Sequence, residues 1–140
     1  MKQDVPWSFK DLEASPTMER LMERKEGQAL VVASAGNTAR AFAQAASAAG
    51  LPLVLVVPTS GESRLWTTVP PSESICVVSV KGDYTEAIDL AARLAGEAGF
   101  VGEGGARNVA RMDGIGVIIL EHRLRRRSPP SACTSKLAGS

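Results

Sequence analysis

ALVVASAGNTARAFAQAASAAGLPLVLVV, residues 29–57, is the stretch whose reading decides the fold. ALVVA at 29–33 is a brief apolar run ending at Ser34-Ala35-Gly36-Asn37, which reads as a strand running into a turn. TARAFAQAASAAG then supplies strong helix formers and stops at Gly50. PLVLVV at 52–57 is continuously apolar, as a strand buried on both faces of a parallel sheet is.

The flanking sequence extends that alternation. ICVVSV at 75–80 reads as another buried strand, with Cys76 in the core. YTEAIDLAARLAGEAG at 84–99 places Ala87, Ile88, Ala91, Leu94 and Ala95 on one helical face. FVGEGG follows, then a helix or turn–helix from about Arg107 to Leu120. Upstream, SPTMERLMERK opens with Ser15 as N-cap and Pro16 at the first helical position. Its face is Met18, Leu21, Met22 and Lys25. The expectation is an α/β fold: a parallel sheet with flanking helices, whose ligands bind beyond the carboxyl ends of the strands. SAGN lies at one of those ends.

Composition narrows the functional classes. The chain has 140 residues, 44% hydrophobic and 22% charged, which suits one globular domain with a sizeable core. No apolar run approaches the roughly 20 residues of a membrane span, and no secretory leader is visible. Two cysteines, Cys76 and Cys133, make neither a disulfide framework nor a metal set. The chain reads as soluble and cytoplasmic, with no membrane and no nucleic acid as partner. Net charge is +1, but from His122 onward there are only basic charges: Arg123, Arg125, Arg126, Arg127 and Lys136.

Two short motifs carry the chemistry. In SAGN, Gly36 allows a tight turn, and the following helix begins with free N–H groups at the positive end of its dipole. Such an end attracts a carboxylate or phosphate, and Asn37 adds an amide donor. Equally, Ser34 or Asn37 simply caps the helix. In SFKD, residues 8–11, Lys10 taken alone is a solvated lysine. Taken with SAGN, its amine can bond to an aldehyde cofactor whose ring hydroxyl and substrate carboxylate the turn would hold.

SFKD followed by ASAGNTARAFAQ resembles the tryptophan-synthase-β-like family of pyridoxal-phosphate enzymes, which includes threonine synthase and cysteine synthase. The resemblance implies a fold-type II small-domain region and pyridoxal 5′-phosphate as cofactor. It implies Lys10 as the cofactor-bearing catalytic lysine and Asn37 as a contact to the pyridine 3′ oxygen. Ser34, Ala35, Gly36 and Thr38 become the substrate-carboxylate loop. VPTSGESRLWTT, VKGDYTEAIDLAARL and GEGGARNVARMDGIGVIILE resemble a sulfonate-forming branch beside threonine synthase. That branch implies β-replacement on O-phosphoserine by sulfite, giving cysteate and phosphate for coenzyme M biosynthesis. The alternative within the family is a threonine synthase-type lyase on O-phosphohomoserine. Cations for the phosphate and sulfite come from Arg40, Arg64, Arg107 and Arg111, with Arg107 preferred beside Gly104-Gly105 and Asn108. A reading of another class is a non-catalytic α/β domain that keeps the anion-binding turn for a small ligand or partner.

The resemblance covers residues 6–121, which reads as the lysine-bearing α/β region of a longer homo-oligomeric enzyme. No glycine-rich loop for the cofactor phosphate is recognisable, so a fragment that is inactive by itself is expected. Residues 122–140 are a basic, Ser- and Pro-rich tail. It reads as a helix end fraying into disorder or as a terminus shifted out of frame. Trp66 packs under a loop or lines a substrate mouth.

Overall fold

The computed structural model describes residues 8–24, 27–65, 73–104 and 107–127. Trp66, Gly105, Ala106, Cys133 and residues 128–140 lie outside the described residues. The elements run α1 (Phe9–Arg24), β1 (Ala29–Ala33), α2 (Asn37–Ala49), β2 (Leu53–Pro58), a 3-10 helix (Thr59–Arg64), β3 (Ile75–Val80), α3 (Tyr84–Leu94), β4 (Phe100–Gly102) and α4 (Val109–Arg127). The strands form one parallel sheet in the order β3-β2-β1-β4. The expected α/β architecture is therefore the observed one.

The order explains where the helices go. The chain steps from β1 to β2 to β3 in one direction, then crosses back over both to place β4 on the far side of β1. With a common crossover hand, the reversal puts successive helices on opposite faces. Leu30, Val32, Leu53 and Leu55 accordingly face α2 and α1, packing with Ala39, Phe42, Ala43, Ala46, Ala14 and Met18. Val31 and Val56, one residue out of phase, face Ala87 and Ala91 of α3. Small alanines let α2 lie close to the sheet, and Gly50 ends it in the left-handed conformation at φ 66°.

Three local expectations change. Helix α1 begins at Phe9, not at Pro16, so Pro16 is internal and Lys10 is in the first turn. Ser8 starts it: the Ser8 backbone N–H donates to Asp11 Oδ2 at 2.7 Å and its hydroxyl donates to the same oxygen at 3.1 Å. That is half of a capping box, written S-x-x-D. Met22 and Ile88 are exposed, so the buried face of α1 is Ala14 and Met18, and that of α3 is Ala87 and Ala91. Strand β3 is at the sheet edge with only Ile75 buried, which leaves Cys76 exposed rather than in the core.

Helix α4 packs across α1 and continues past residue 121 to Arg127. The crossing is made by Gly114. A Cβ there would land on the Leu12 carbonyl oxygen, 2.8 Å from the Leu12 carbonyl carbon and 3.1 Å from Pro16 Cγ. Pro16 has no N–H to give the carbonyl four residues before it, and that is the carbonyl Gly114 approaches. Beyond the crossing, Val117, Ile118, Ile119, Leu120 and Leu124 are exposed.

Two substitutions test this packing. Gly114→Ala must push α4 off α1, since the obstacle is backbone, and should destabilise the chain by about 1–3 kcal/mol as overpacking does. Denaturant midpoints measure it, and an unchanged midpoint would show that the helices do not cross there. Asp11→Asn removes the carboxylate that meets the buried Arg40 of α2. The expected loss is about 2 kcal/mol, below the ~3–5 kcal/mol of a fully buried pair because Ser8 also binds the guanidinium. A double-mutant cycle with Arg40→Met should show strong coupling, whereas additivity would mean that the pair does not join the helices.

Candidate active site

The carboxyl ends of β1 and β4, where the strand order reverses, are the place a parallel sheet offers a ligand. β1 is followed by the turn Ser34-Ala35-Gly36 into Asn37 of α2, and β4 is followed by Glu103. The first turn of α1 carries Lys10, and α1 packs against both α2 and α4.

Arg40 joins SFKD to SAGN. Its side chain is 1% exposed and its Nη2 donates to Asp11 Oδ2 at 2.9 Å and to Ser8 Oγ at 3.2 Å. Ser8 and Asp11 flank Lys10, while Arg40 sits one helical turn after Asn37. The N-terminal ends of α1 and α2 are thereby tied together. This commits the charge of Arg40 internally, so the expectation of Arg40 as a substrate cation is not met.

The turn itself is uncapped. The N-cap of α2 is Gly36, and among the described residues no side chain caps the helix, so neither Ser34 nor Asn37 is spent on capping. Ser34 Oγ instead accepts the Gly36 N–H at 3.3 Å. Asn37 is exposed, and a Cβ on Gly36 would meet nothing within 4 Å. A cofactor ring oxygen or a substrate carboxylate fits this donor set, with open space above Gly36 and unclaimed N–H groups beside Thr38.

A cavity of about 480 Å³ opens beside the turn, lined by Ser34, Ala35, Gly36, Ser60, Arg64 and Tyr84 among others. Tyr84 fixes one wall by donating its hydroxyl to the Ala33 carbonyl at 2.7 Å. Of the four arginines singled out from sequence, Arg64 lines this cavity. Arg107 is exposed and lines a different one, of about 260 Å³, with Thr17, Glu103 and Asn108. Asn108 caps α4, accepting from the Ala110 and Arg111 N–H groups at 3.0 and 3.4 Å. Gly104, at φ 79°, closes on that cap: a Cβ there would meet Asn108 Cβ at 3.2 Å.

Arg111 is also committed. It pairs with Glu13 of α1 and with Glu103 after β4. Burial lowers its pKa, but the hydrogen bonds and charges of Glu13 and Glu103 outweigh that and hold it above the ordinary value. Glu13 in turn accepts from Lys10 Nζ at 2.9 Å through Oε1. The sequence reading missed Glu13, Ser8, Asp11 and Tyr84. The S-x-x-D cap was a readable signal for two of them. Among the described residues no cluster of metal-ligating side chains occurs, and no helix is long and apolar enough to cross a membrane.

The chain is similar to known proteins over most of its length. The chain is 57% identical over 123 residues to cysteate synthase from Methanococcoides burtonii, covering 88% of the chain. It is 56% identical over 124 residues to cysteate synthase from Methanothrix thermoacetophila, covering 89%. It spans 30% of the length of each of these relatives. Among solved structures, apo diaminopropionate ammonia lyase from Escherichia coli superposes with a TM-score of 0.65 at 15% identity, covering 85% of this chain and 37% of that one. O-acetyl serine sulfhydrylase isoform 3 from Entamoeba histolytica gives 0.60 at 18%, covering 82% and 37%. Those two likenesses concern the fold. The family model described as pyridoxal-phosphate dependent enzyme matches residues 6–136, and the chain belongs to that family, with pyridoxal phosphate as its cofactor.

Proposed function

We propose that this chain is the lysine-bearing region of a cysteate synthase, which replaces the phosphate of O-phosphoserine by sulfite to give cysteate and phosphate, a step of coenzyme M biosynthesis. The observation that carries the reading is the Arg40–Asp11 pair, which ties the Lys10 turn to the Asn37 turn. The high identity to proteins named cysteate synthase supports this substrate choice over O-phosphohomoserine.

When bound, the cofactor supplies an electron sink that acidifies the substrate α-carbon and lets phosphate depart from Cβ. The chain's own residues do the rest. Lys10 would hold the cofactor through its amine, and that amine, when free, takes the α-proton at Nζ. Asn37 would donate its amide to the ring oxygen. The N–H groups of the Ala35–Thr38 turn orient the substrate carboxylate, aided by the dipole of α2. Arg64, on the wall of the same cavity, meets the phosphate and then sulfite.

The test is an assay of a protein carrying this sequence at the length of its relatives. Phosphoserine with sulfite should yield cysteate and phosphate. Turnover of O-phosphohomoserine alone would replace this reading by a threonine synthase-type one. Arg64→Gln should raise the KM for phosphoserine about tenfold, the worth of one charge-assisted hydrogen bond. An unchanged KM would move the phosphate contact elsewhere.

A further inference from the structure

Glu13 is a buried carboxylate to which the chemistry above gives no work. Its side chain is 2% exposed, and a charge so placed must be paired. Holding α1 to α4 would account for Arg111 alone, and an arginine–carboxylate pair made for that purpose uses both oxygens in parallel. Here the two guanidinium nitrogens converge on one oxygen: Arg111 Nε donates to Glu13 Oε2 at 2.9 Å, and Nη2 donates to the same atom. The other oxygen, Oε1, is left to Lys10 Nζ. Lys10 is 25% exposed and has the reach to point into solvent. It is turned instead along its own helix to Glu13, with Nζ 4.3 Å from the Phe9 ring centroid.

We propose that Glu13 is the positioning residue for the catalytic amine: it holds Lys10 Nζ whenever that amine is not bonded to the cofactor, and Arg111 fixes the carboxylate for that task. The inference rests on the reading of Lys10 as the cofactor lysine. Arg111 is anchored in turn by Glu103, so the carboxylate is braced between α1, β4 and α4 and cannot swing with the amine. A released amine thus returns to one place on α1 instead of searching solvent.

The test uses no cofactor, so its failure is separable from failure of the synthase reading, which has its own assay. The folded 140-residue chain is trace-acetylated at neutral pH, and the labelling of Lys10 is compared by mass spectrometry with that of Lys81, an exposed lysine. Wild-type Lys10 should label several-fold more slowly than Lys81. Glu13→Gln, or Glu13→Asp, which is too short to reach both partners, should raise Lys10 labelling about fivefold relative to Lys81, as expected for one part-exposed charge-assisted bond. Asp113→Asn breaks the exposed Arg20–Asp113 pair between the same two helices without touching Glu13 or Lys10, and should leave Lys10 labelling within about twofold of wild type. Equal effects of the Glu13 and Asp113 variants would show that Glu13 only holds the helices together, and would overturn the proposal. If the Glu13 variants do not fold, wild-type labelling decides: a Lys10 as reactive as Lys81 overturns it.

Discussion

A guanidinium removed from water must find its counter-charge inside the protein, and for Arg40 that charge is Asp11. The same Asp11 oxygen accepts the Ser8 backbone N–H and hydroxyl, so the carboxylate that neutralises α2 also starts α1. One ion pair therefore fixes where α1 begins and what it packs against. Lys10 lies between the two residues that make the cap, and Asn37 begins the helix whose next turn carries Arg40. Separated from the pair, the lysine and the turn would be two unremarkable surface features.

The sheet gives this arrangement its setting. Because β4 returns to the far side of β1, the helices after β1 and β4 both come to lie near α1. α1 is then held by charge in two directions, through Asp11 toward α2 and through Glu13 toward α4. Lys10 bonds to the second of those carboxylates. The close crossing at Gly114 allows Arg111, three residues earlier, to reach Glu13. Packing and polar positioning are here the same requirement.

Much of this could be read from the residues alone. Strands 29–33, 53–58 and 75–80 declare themselves by apolar runs, and α2 by its alanines and Gly50. The start of α1 is not legible locally, because Ser15-Pro16 is a stronger signal than Ser8-x-x-Asp11, and tertiary pairing with Arg40 decides between them. An apolar run does not tell a central strand from an edge strand, which is why ICVVSV reads as core while Cys76 is exposed at the edge. The four arginines looked alike in sequence. Only the fold shows that Arg40 and Arg111 are internal struts, that Arg64 lines the cavity by the turn, and that Arg107 lines another. Glu13 could not be found from spacing, since its partner Arg111 is 98 residues away.

The central claim is that SFKD and SAGN are one cofactor site, which makes Lys10 different from every other lysine in the chain. Incubating the 140-residue chain with pyridoxal phosphate, reducing with borohydride and mapping the peptides measures this directly. The account predicts saturable uptake with the reduced adduct on Lys10. Adducts spread over Lys81 and the other lysines, with no preference for Lys10, would contradict it.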